Sequence, residues 1–341
     1  MSAILVTAFA ILIGMHFIQI RHKQAKTSSS CNNKPIFGCI QLPSPKSEPT
    51  KYCYEIFSWY YTIIWISIFG MIIITQCYEY FTAATYLIVC GGLALPLLVQ
   101  PILYPQAIQT SISTFLHNDT NKQAKLLITN PDINRPFHKR YATKVTIYLL
   151  TYSFIGNYWY THYFYSVLNA QYTMPSYRMN NVPMAMFCAT HFYFTTYHVC
   201  ISNGLLRYVD RNYVQGWRKR MLFVSTVLFL SYFTAFMETL TISSFPYYSF
   251  EDRTMAYIWG SAFYGIYFIV SFPGFYYLDA NIDADIEKKA NNKENKVTLM
   301  DTFTIACGHG MMILILLDFV RLYLGIPLVI GGVAFVFTSG Q

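Results

Sequence analysis

The sequence contains few charged residues for its length. Only 12% of its 341 residues are charged, about half the share that is typical of a soluble domain. In contrast, 54% of the residues are hydrophobic, and the mean hydropathy is +0.33. This composition excludes an ordinary soluble domain and indicates that most of the chain lies in a lipid bilayer.

The sequence also lacks paired cysteines and nucleic-acid-binding modules. Its eight cysteines are scattered with no CxxC pair, so neither a zinc site nor a disulfide framework is predicted. The net charge of +8 does not indicate a nucleic-acid partner, because the basic residues lie in short loops between apolar runs. The apolar runs are therefore the most informative part of the sequence.

Apolar runs of membrane-spanning length recur along almost the whole chain. The first, residues 2–20, precedes Arg21 and Lys23, which is the reverse of a cleaved signal peptide and favours an uncleaved anchor. Residues 21–51 are rich in Ser, Asn and Pro and indicate a flexible linker. Seven further spans of about 20 residues are predicted at residues 57–76, 83–103, 143–165, 183–206, 220–242, 254–277 and 302–324.

The predicted fold class is therefore all-α, a polytopic transmembrane bundle of about eight spans. We expect two parts, an anchor and linker over residues 1–50 and a multi-span domain over residues 51–341. Alternate loops carry 21 of the 24 basic residues, so that side is predicted to be cytoplasmic. Both chain ends then face the lumen of the endoplasmic reticulum, whose membrane is the expected location.

The segment from Gly156 to His198 places two histidine-bearing apolar runs around the connector TMPSYRMNNVP. Pro175, Pro183 and the pair of asparagines between them predict that this connector is not helical. Histidine is uncommon in membrane helices, so the two flanking runs are candidates for a functional role.

Ionisable residues inside the predicted spans are the strongest functional signals, because each is costly in lipid unless it has a partner. Five are candidates for catalysis: Glu238, His191, His198, His162 and Asp318. Glu238 shares a helix face with Ser231, Thr234 and Thr241, and His191 shares one with Thr195, His198 and Ser202. A third stripe has similar spacing and consists of Tyr257, Ser261, Tyr264, Phe268 and Ser271. Three such polar and aromatic stripes in an apolar bundle predict a shared internal cavity.

Each candidate also has a purely structural interpretation. Glu238, His191 and His198 would then be hydrogen-bond partners between helices. His162 lies near the end of its predicted span, where a histidine costs little. Asp318 lies one turn before Arg321, and a local ion pair is the simpler explanation for it. A metal site at His191, His198 and Glu238 is not predicted, because the histidine spacing HxxxxxxH is not a zinc motif.

Several segments, in order along the chain, resemble one known family. They are GNYWYTHYF (156–164), YTMPSYRMNNVP (172–183), THFYFTTYHV (190–199), SYFTAFMET (231–239), FPYYSFEDR (245–253), YGIYFIVSFP (264–273) and LLDFVRLYLG (316–325). The family is that of the cycloeucalenol cycloisomerases, also called cycloeucalenol–obtusifoliol isomerases, of sterol biosynthesis. The resemblance runs from about residue 52 to residue 325 and leaves out the first span and the linker.

This resemblance implies an isomerase that opens the 9β,19-cyclopropane ring of a 4α-methyl sterol and forms a Δ8 double bond. No redox change occurs, so no cofactor is expected, and the absence of a GxGxxG loop agrees with that. The reaction needs a proton donor at C19 and a base at C8, because positive charge develops at C9. A buried carboxyl stays protonated near pH 7.

We expect Glu238 to be the donor and His191 or His198 to receive the second proton, by burial and spacing. The predicted substrate-binding residues are Trp159, Tyr232, Tyr264, Phe268, Asn180 and Asn181, the aromatic ones facing the cation. The expected partners are a cyclopropyl sterol and the lipid bilayer, and the sequence indicates no particular protein partner. The alternatives are a non-catalytic sterol-binding or transport protein and a membrane scaffold.

Overall fold

The structure is a computed structural model that describes residues 40–45, 47–105, 130–242, 245–282, 297–330 and 333–335. The described part of the chain is an all-α bundle, as predicted. The anchor expected at residues 2–20 and most of the linker lie outside the described residues, so the expected anchor stays a prediction.

Long helices account for most of the described residues. They are α1 (Pro49–Ile74), α2 (Ala83–Leu103), α3 (Tyr141–Ile155), α4 (Thr161–Leu168), α5 (Met184–Thr195), α6 (Asn203–Asn212), α7 (Trp217–Ile242), α8 (Arg253–Asn281) and α9 (Leu299–Tyr323). Their bounds follow the predicted spans, except that α1 begins at Pro49 rather than at residue 57 and α6 ends at Asn212 rather than at residue 206. Helix α2 begins and ends at the predicted residues.

Three π-helical turns interrupt the helical columns. Gly156–Tyr160 joins α3 to α4, Thr196–Ser202 joins α5 to α6, and Ala256–Gly260 lies near the start of α8. A π turn adds a residue to the helix and changes which side chains face a neighbour, and such turns are frequent at functional sites. The predicted spans 143–165 and 183–206 correspond to the two joined columns.

Among the described residues, five helices are long and apolar enough to cross a membrane by length and composition, namely α1, α2, α7, α8 and α9. The chain is therefore a multi-pass membrane protein. The total of about eight spans stays a prediction, since the first lies outside the described residues.

Local sequence signals explain several helix ends. Pro49 lies in the first turn of α1, where its missing N–H costs nothing. Thr82 caps α2 by accepting a hydrogen bond from the backbone N–H of Thr85. Thr298 and Asp301 form a reciprocal capping box at the start of α9.

Short antiparallel strand pairs tie the connectors together. The pairs are β1 (Gln171–Tyr172) with β4 (Tyr248–Ser249), β2 (Arg178–Met179) with β3 (Val182–Pro183), and β5 (Leu328–Ile330) with β6 (Val333–Phe335). Between β2 and β3, Asn180 and Asn181 have φ angles of 50° and 60°, which asparagine tolerates and a tight hairpin requires. The prediction that this connector is not helical is confirmed.

The core consists of two aromatic-rich clusters. One is centred on α3, α8 and α9 and includes Tyr148, Tyr152, Phe268 and Phe272. The other is built from α1, α2 and α5 and includes Trp65 among its buried members. The cavity described below lies where the two clusters meet.

A buried charge cluster joins four helical columns at one end of the bundle. Arg207 makes two bonds to Glu55, of 2.6 and 3.0 Å, and its Nη2 lies 3.8 Å from Asp279. Lys51 Nζ lies 3.6 Å from the Asp279 carboxylate, and the Tyr141 hydroxyl donates to the same group. All five side chains are buried. Two acids and two bases balance, which is the condition for burying charge at tolerable cost.

Candidate active site

An apolar cavity of about 200 Å³ lies between the two core clusters. Its walls come from the end of α1, from α2, the first π turn, α4, α5, α7, α8 and the β4 connector. Most of the lining side chains are aromatic or aliphatic, among them Phe69, Phe81, Phe164, Tyr193 and Tyr267. A cavity with this lining suits a rigid hydrocarbon ligand better than a polar one.

Glu238 is the one carboxylic acid among the described residues that line this cavity. Its Oε1 atom accepts a hydrogen bond of 2.9 Å from the Tyr264 hydroxyl, and the Tyr197 side chain also interacts with the carboxyl. Its Oε2 atom is buried and has no hydrogen-bond partner in the described part of the chain. Because Oε1 already accepts, the proton of a neutral carboxyl belongs on Oε2, where it is free to leave.

The other residues of the predicted Glu238 face do not bond to the carboxyl. The Thr241 hydroxyl donates to the backbone carbonyls of Met237 and Glu238, at 3.0 and 2.9 Å. Ser231 is fully buried, and its hydroxyl has no partner among the described residues. The carboxyl is therefore held by tyrosines of neighbouring helices rather than by its own helix.

Aromatic rings surround the ring of Tyr264, whose hydroxyl is bonded to the Glu238 carboxyl. Its ring centroid lies 4.8 Å from that of Tyr267, 5.1 Å from Phe268 and 5.4 Å from Phe164. Ring faces carry partial negative charge and attract cations in a water-poor site. The arrangement can therefore stabilise positive charge that develops next to Glu238.

His198 does not line the cavity. Its Nδ1 is 2.9 Å from the Phe194 carbonyl and its Nε2 is 2.8 Å from the Ser271 hydroxyl. A carbonyl only accepts, so Nδ1 carries the proton and Nε2 accepts from Ser271. With both nitrogens engaged and the ring packed among Phe268, Phe272 and other rings, His198 fits the structural interpretation.

His191 is 1% exposed and also lies outside the cavity lining. Neither of its ring nitrogens has a hydrogen-bond partner in the described part of the chain. Thr195 and Ser202, the predicted face neighbours, instead donate to backbone carbonyls of their own column. The structure therefore does not join His191, His198 and Glu238 into one group.

His162 borders a second, polar cavity of about 510 Å³. Arg178 and Asn181 line the same cavity, and the ring of Tyr165 lies 5.5 Å from that of His162. His162 Nε2 is buried without a partner among the described residues. Tyr172 lines both cavities, so this histidine is separated from Glu238 by at least one side chain.

Asp318 forms the local ion pair that its spacing allowed. Arg321 Nε and Nη2 both donate to Asp318 Oδ1, at 2.9 and 2.5 Å, and Nη1 donates to the Ile326 carbonyl. Neither residue lines the apolar cavity.

Of the predicted substrate-binding residues, only Tyr264 lines the apolar cavity. Phe268 is buried directly behind it, while Tyr232 lies outside the lining and stacks on Phe236. Trp159 is 42% exposed and packs on Tyr158.

The two predicted asparagines of the connector have structural partners. Asn180 Nδ2 donates to the Tyr158 carbonyl at 2.7 Å, which fastens the connector to the first π turn. The Asn181 carbonyl accepts from Arg178 at 3.1 Å, and Asn181 borders the polar cavity.

Several buried polar groups were missed by the sequence interpretation. Glu55, Arg207 and Asp279 lie just beyond the predicted spans and were counted with the loops, although a charge next to an apolar run is itself a signal. His309 was not singled out, and its Nδ1 is hydrogen-bonded to the Tyr148 hydroxyl at 2.8 Å. No group of three or more potential metal ligands occurs in the part of the chain that the structure describes.

Comparison with known proteins supplies one close relationship. The chain is 35% identical over 281 residues to an Arabidopsis thaliana protein named cycloeucalenol cycloisomerase. That alignment covers 82% of this chain and 88% of the plant protein. No protein-family model matches the sequence, and no solved structure matches it.

Proposed function

The chain belongs to the cycloeucalenol cycloisomerase family, and we propose that it opens the 9β,19-cyclopropane ring of a 4α-methyl sterol. One observation carries this proposal: among the described residues, a single carboxyl, with one oxygen unpartnered, lines a mostly apolar and aromatic cavity. The plant relative is named a cycloisomerase, and a buried acid in an apolar cavity supports such a reaction.

The chemistry begins with a proton that moves from Glu238 Oε2 to C19. The C9–C19 bond breaks as the C19–H bond forms, so C19 becomes a methyl group and positive charge develops at C9. Loss of the C8 proton then forms the C8–C9 double bond. The sterol gains one proton at C19 and loses one from C8, so its atoms and electrons balance. The reaction therefore consumes no oxidant, reductant or cofactor.

Burial makes Glu238 a donor rather than a fixed anion. A carboxylate in an apolar site without a cation is strongly disfavoured relative to the neutral acid. No Lys or Arg lines the cavity among the described residues. The Tyr264 hydroxyl holds Oε1 and stabilises the carboxylate that remains after the proton has left.

The aromatic wall lowers the cost of the cation at C9. The rings of Tyr264, Tyr267 and Phe164 stand together on this side of the cavity. They exclude water that would otherwise add to the cation, and their faces attract it.

The acceptor of the C8 proton is proposed to be the Glu238 carboxylate itself. After donation it is the strongest base among the described residues that line the cavity, since His191 and His198 lie outside the lining. C8 and C9 are bonded neighbours, so a carboxyl that reaches C19 lies close to the C8 hydrogen as well. One group would then act first as acid and next as base, and would be ready for another turnover.

We also propose that the protein works in the endoplasmic reticulum membrane, with its basic loops on the cytoplasmic side. The clustering of 21 of 24 basic residues in alternate loops supports this orientation. In the same way, residues 1–50 are proposed to form an anchor and linker, and residues 51–341 the catalytic domain.

The test is to incubate membranes that contain the protein with cycloeucalenol and to follow the sterols by gas chromatography and mass spectrometry. Conversion to the Δ8 isomer, obtusifoliol, is expected, with cycloartenol as a second substrate in parallel. Membranes without the protein are the control. Sterol binding without any isomer from either substrate would contradict the proposal and favour a sterol-binding or transport protein.

A further inference from the structure

Asn157 is a polar side chain in the cavity wall that the proposed reaction does not use. It lies in the first π turn, Gly156–Tyr160, and is 8% exposed. It borders the same cavity as Glu238. A buried amide in an apolar wall is costly unless its polar atoms are paired, so its presence requires an explanation.

Hydrogen bonds fix the orientation of this amide. Asn157 Nδ2 donates to the Ser153 carbonyl at 2.9 Å and to the Thr190 hydroxyl at 2.6 Å. The Thr190 hydroxyl gives its own proton to the Met186 carbonyl, so it is able only to accept from Asn157. Flipping the amide would place an oxygen against two acceptors, and the hydrogen-bond network therefore assigns Nδ2 to this position.

The remaining atom, Oδ1, is a pure hydrogen-bond acceptor. No described residue donates to it, and it is not one of the fully enclosed polar atoms of the described chain. The cavity wall thus presents an oriented carbonyl oxygen that can accept a hydrogen bond from a ligand that carries a donor.

Asn157 and Glu238 lie at different levels of the cavity. Glu238 is bonded to Tyr264, whose ring packs against Phe164 at 5.4 Å. Phe164 follows Asn157 by seven residues, about two turns, of one helical column. The cavity therefore offers an acid at one level and a hydrogen-bond acceptor at another.

We propose that Asn157 Oδ1 accepts a hydrogen bond from the 3-hydroxyl group of the sterol and so sets the position of the cyclopropane at Glu238. The identity of the ligand rests on the proposed function. A 4α-methyl sterol has one hydroxyl, on its first ring, and the reacting cyclopropane spans the second. Thr190 is the positioning residue that keeps the acceptor oriented.

This assignment determines which sterols fit. Because Oδ1 only accepts, the ligand must donate, and a 3-hydroxyl does so. A 3-oxo sterol, a 3-methyl ether or a 3-ester has no proton at that position. Each of these would leave Oδ1 unpaired against an acceptor, which costs about 10-fold or more in binding.

The first experiment uses the unaltered protein and three cyclopropyl sterols that differ only at C3, as hydroxyl, ketone and hydrogen. Binding to detergent-solubilised protein is measured together with turnover. The hydroxyl sterol is expected to bind about 10-fold or more tightly than the ketone. Equal affinity of the hydroxyl and ketone sterols would overturn the proposal. A preference for the hydroxyl without any ring opening would overturn the proposed function but not this assignment.

The second experiment compares Asn157→Leu, which is similar in size, with the unaltered protein on the 3-hydroxy and 3-deoxy sterols. KM for the hydroxy sterol should rise about 10-fold while kcat stays within about threefold, and KM for the deoxy sterol should change little. The control is Thr239→Val, which removes another hydroxyl from the cavity wall. That hydroxyl donates to the Ala235 carbonyl, so both sterols should respond equally. An equal KM rise for both sterols in Asn157→Leu would indicate a structural role and overturn the proposal.

Discussion

Arg207→Met tests whether the buried charge cluster holds the helical columns together. Arg207 is 4% exposed, and its two terminal nitrogens donate to the two Glu55 oxygens at 2.6 and 3.0 Å. It also donates to the Gln41 carbonyl at 2.9 Å and lies 3.8 Å from Asp279. Methionine keeps much of the side-chain volume and removes only the charge and the hydrogen bonds.

The expected loss is large because the change leaves Glu55 buried without its cation. Breaking a buried ion pair by removing one partner costs about 3–5 kcal/mol. Lys51 lies 3.6 Å from Asp279 and continues to balance that acid, so the unpaired charge is mainly that of Glu55. We therefore expect the free energy of unfolding to fall by about 3–5 kcal/mol.

The matched control is Arg211→Met, which breaks a neighbouring ion pair of the same two residue types. Arg211 and Glu48 are paired at 2.5 Å, but their side chains are 36% and 25% exposed. Burial raises the pKa of Glu48, but the positive charges of Arg211, Lys51 and Arg207 outweigh burial, so this pKa lies below its ordinary value. The Glu48 carboxyl is therefore ionised at pH 7. An exposed pair contributes only about 0–1 kcal/mol.

The assay is unfolding of both variants in mixed micelles with increasing denaturing detergent, followed by circular dichroism. The double variant Glu55→Leu with Arg207→Met should recover most of the loss, because it leaves no unpaired charge at that position. The charge cluster would not hold the helical columns together as inferred if Arg207→Met were no more destabilising than Arg211→Met. A double variant less stable than Arg207→Met alone would lead to the same conclusion.

Three further outcomes follow from the structure. A chain that begins at Ile40 should keep its activity. A chain that begins at Pro49 should be less stable in the unfolding assay, because it lacks the Gln41 carbonyl that accepts from Arg207. Equal stability of the two chains would contradict this prediction. His191→Gln should keep turnover within a few-fold, and a loss of about 10²-fold or more would make His191 the base instead. Sterol-like amines that are protonated near C8 or C9 should inhibit far more strongly than their carbon analogues, measured as inhibition constants, and equal inhibition would argue against a cationic transition state.

Much of the fold was predictable because membrane helices are encoded by run length and hydropathy. The predicted span 83–103 coincides with α2, and the other described spans extend at most two residues beyond the helical columns found. The connector before α5 was predicted from its prolines and paired asparagines, whose φ angles are positive. These features depend on local sequence, which is why single residues identify them.

The arrangement of the candidate site was less predictable, because it depends on which faces meet. Glu238 was identified as a buried acid without a local cation, and it does line the cavity. The predicted stripe through His191 and His198 assumed regular α-helix, whereas the column changes to a π turn at Thr196–Ser202. The extra residue in the π turn changes which side chains after it face a neighbouring helix.

The charge cluster and Asn157 illustrate two other limits. Glu55, Arg207 and Asp279 lie a few residues outside the predicted spans, so a hydropathy window assigned them to loops. Their pairing joins residues more than 70 positions apart, which hydrophobic periodicity does not encode. Asn157 belongs to the segment Gly156–His198, which the sequence marks for its histidines, and the free acceptor of Asn157 is apparent only once Thr190 is placed beside it.

The proposed ring opening requires Glu238 as the proton donor. Turnover of the Glu238→Gln variant in deuterated water tests this role. Glutamine keeps the size of the side chain and an acceptor for Tyr264, so the variant should fold and bind the 3-hydroxy sterol like the unaltered protein. In the unaltered protein, each sterol that reacts after Glu238 has exchanged the proton taken from C8 for a solvent deuteron should yield a Δ8 product with one deuterium in the new methyl group at C19. Glu238→Gln should form that product about 10²-fold more slowly or not at all. Normal turnover with the same single deuterium in Glu238→Gln would show that the donor is another group and would contradict the account.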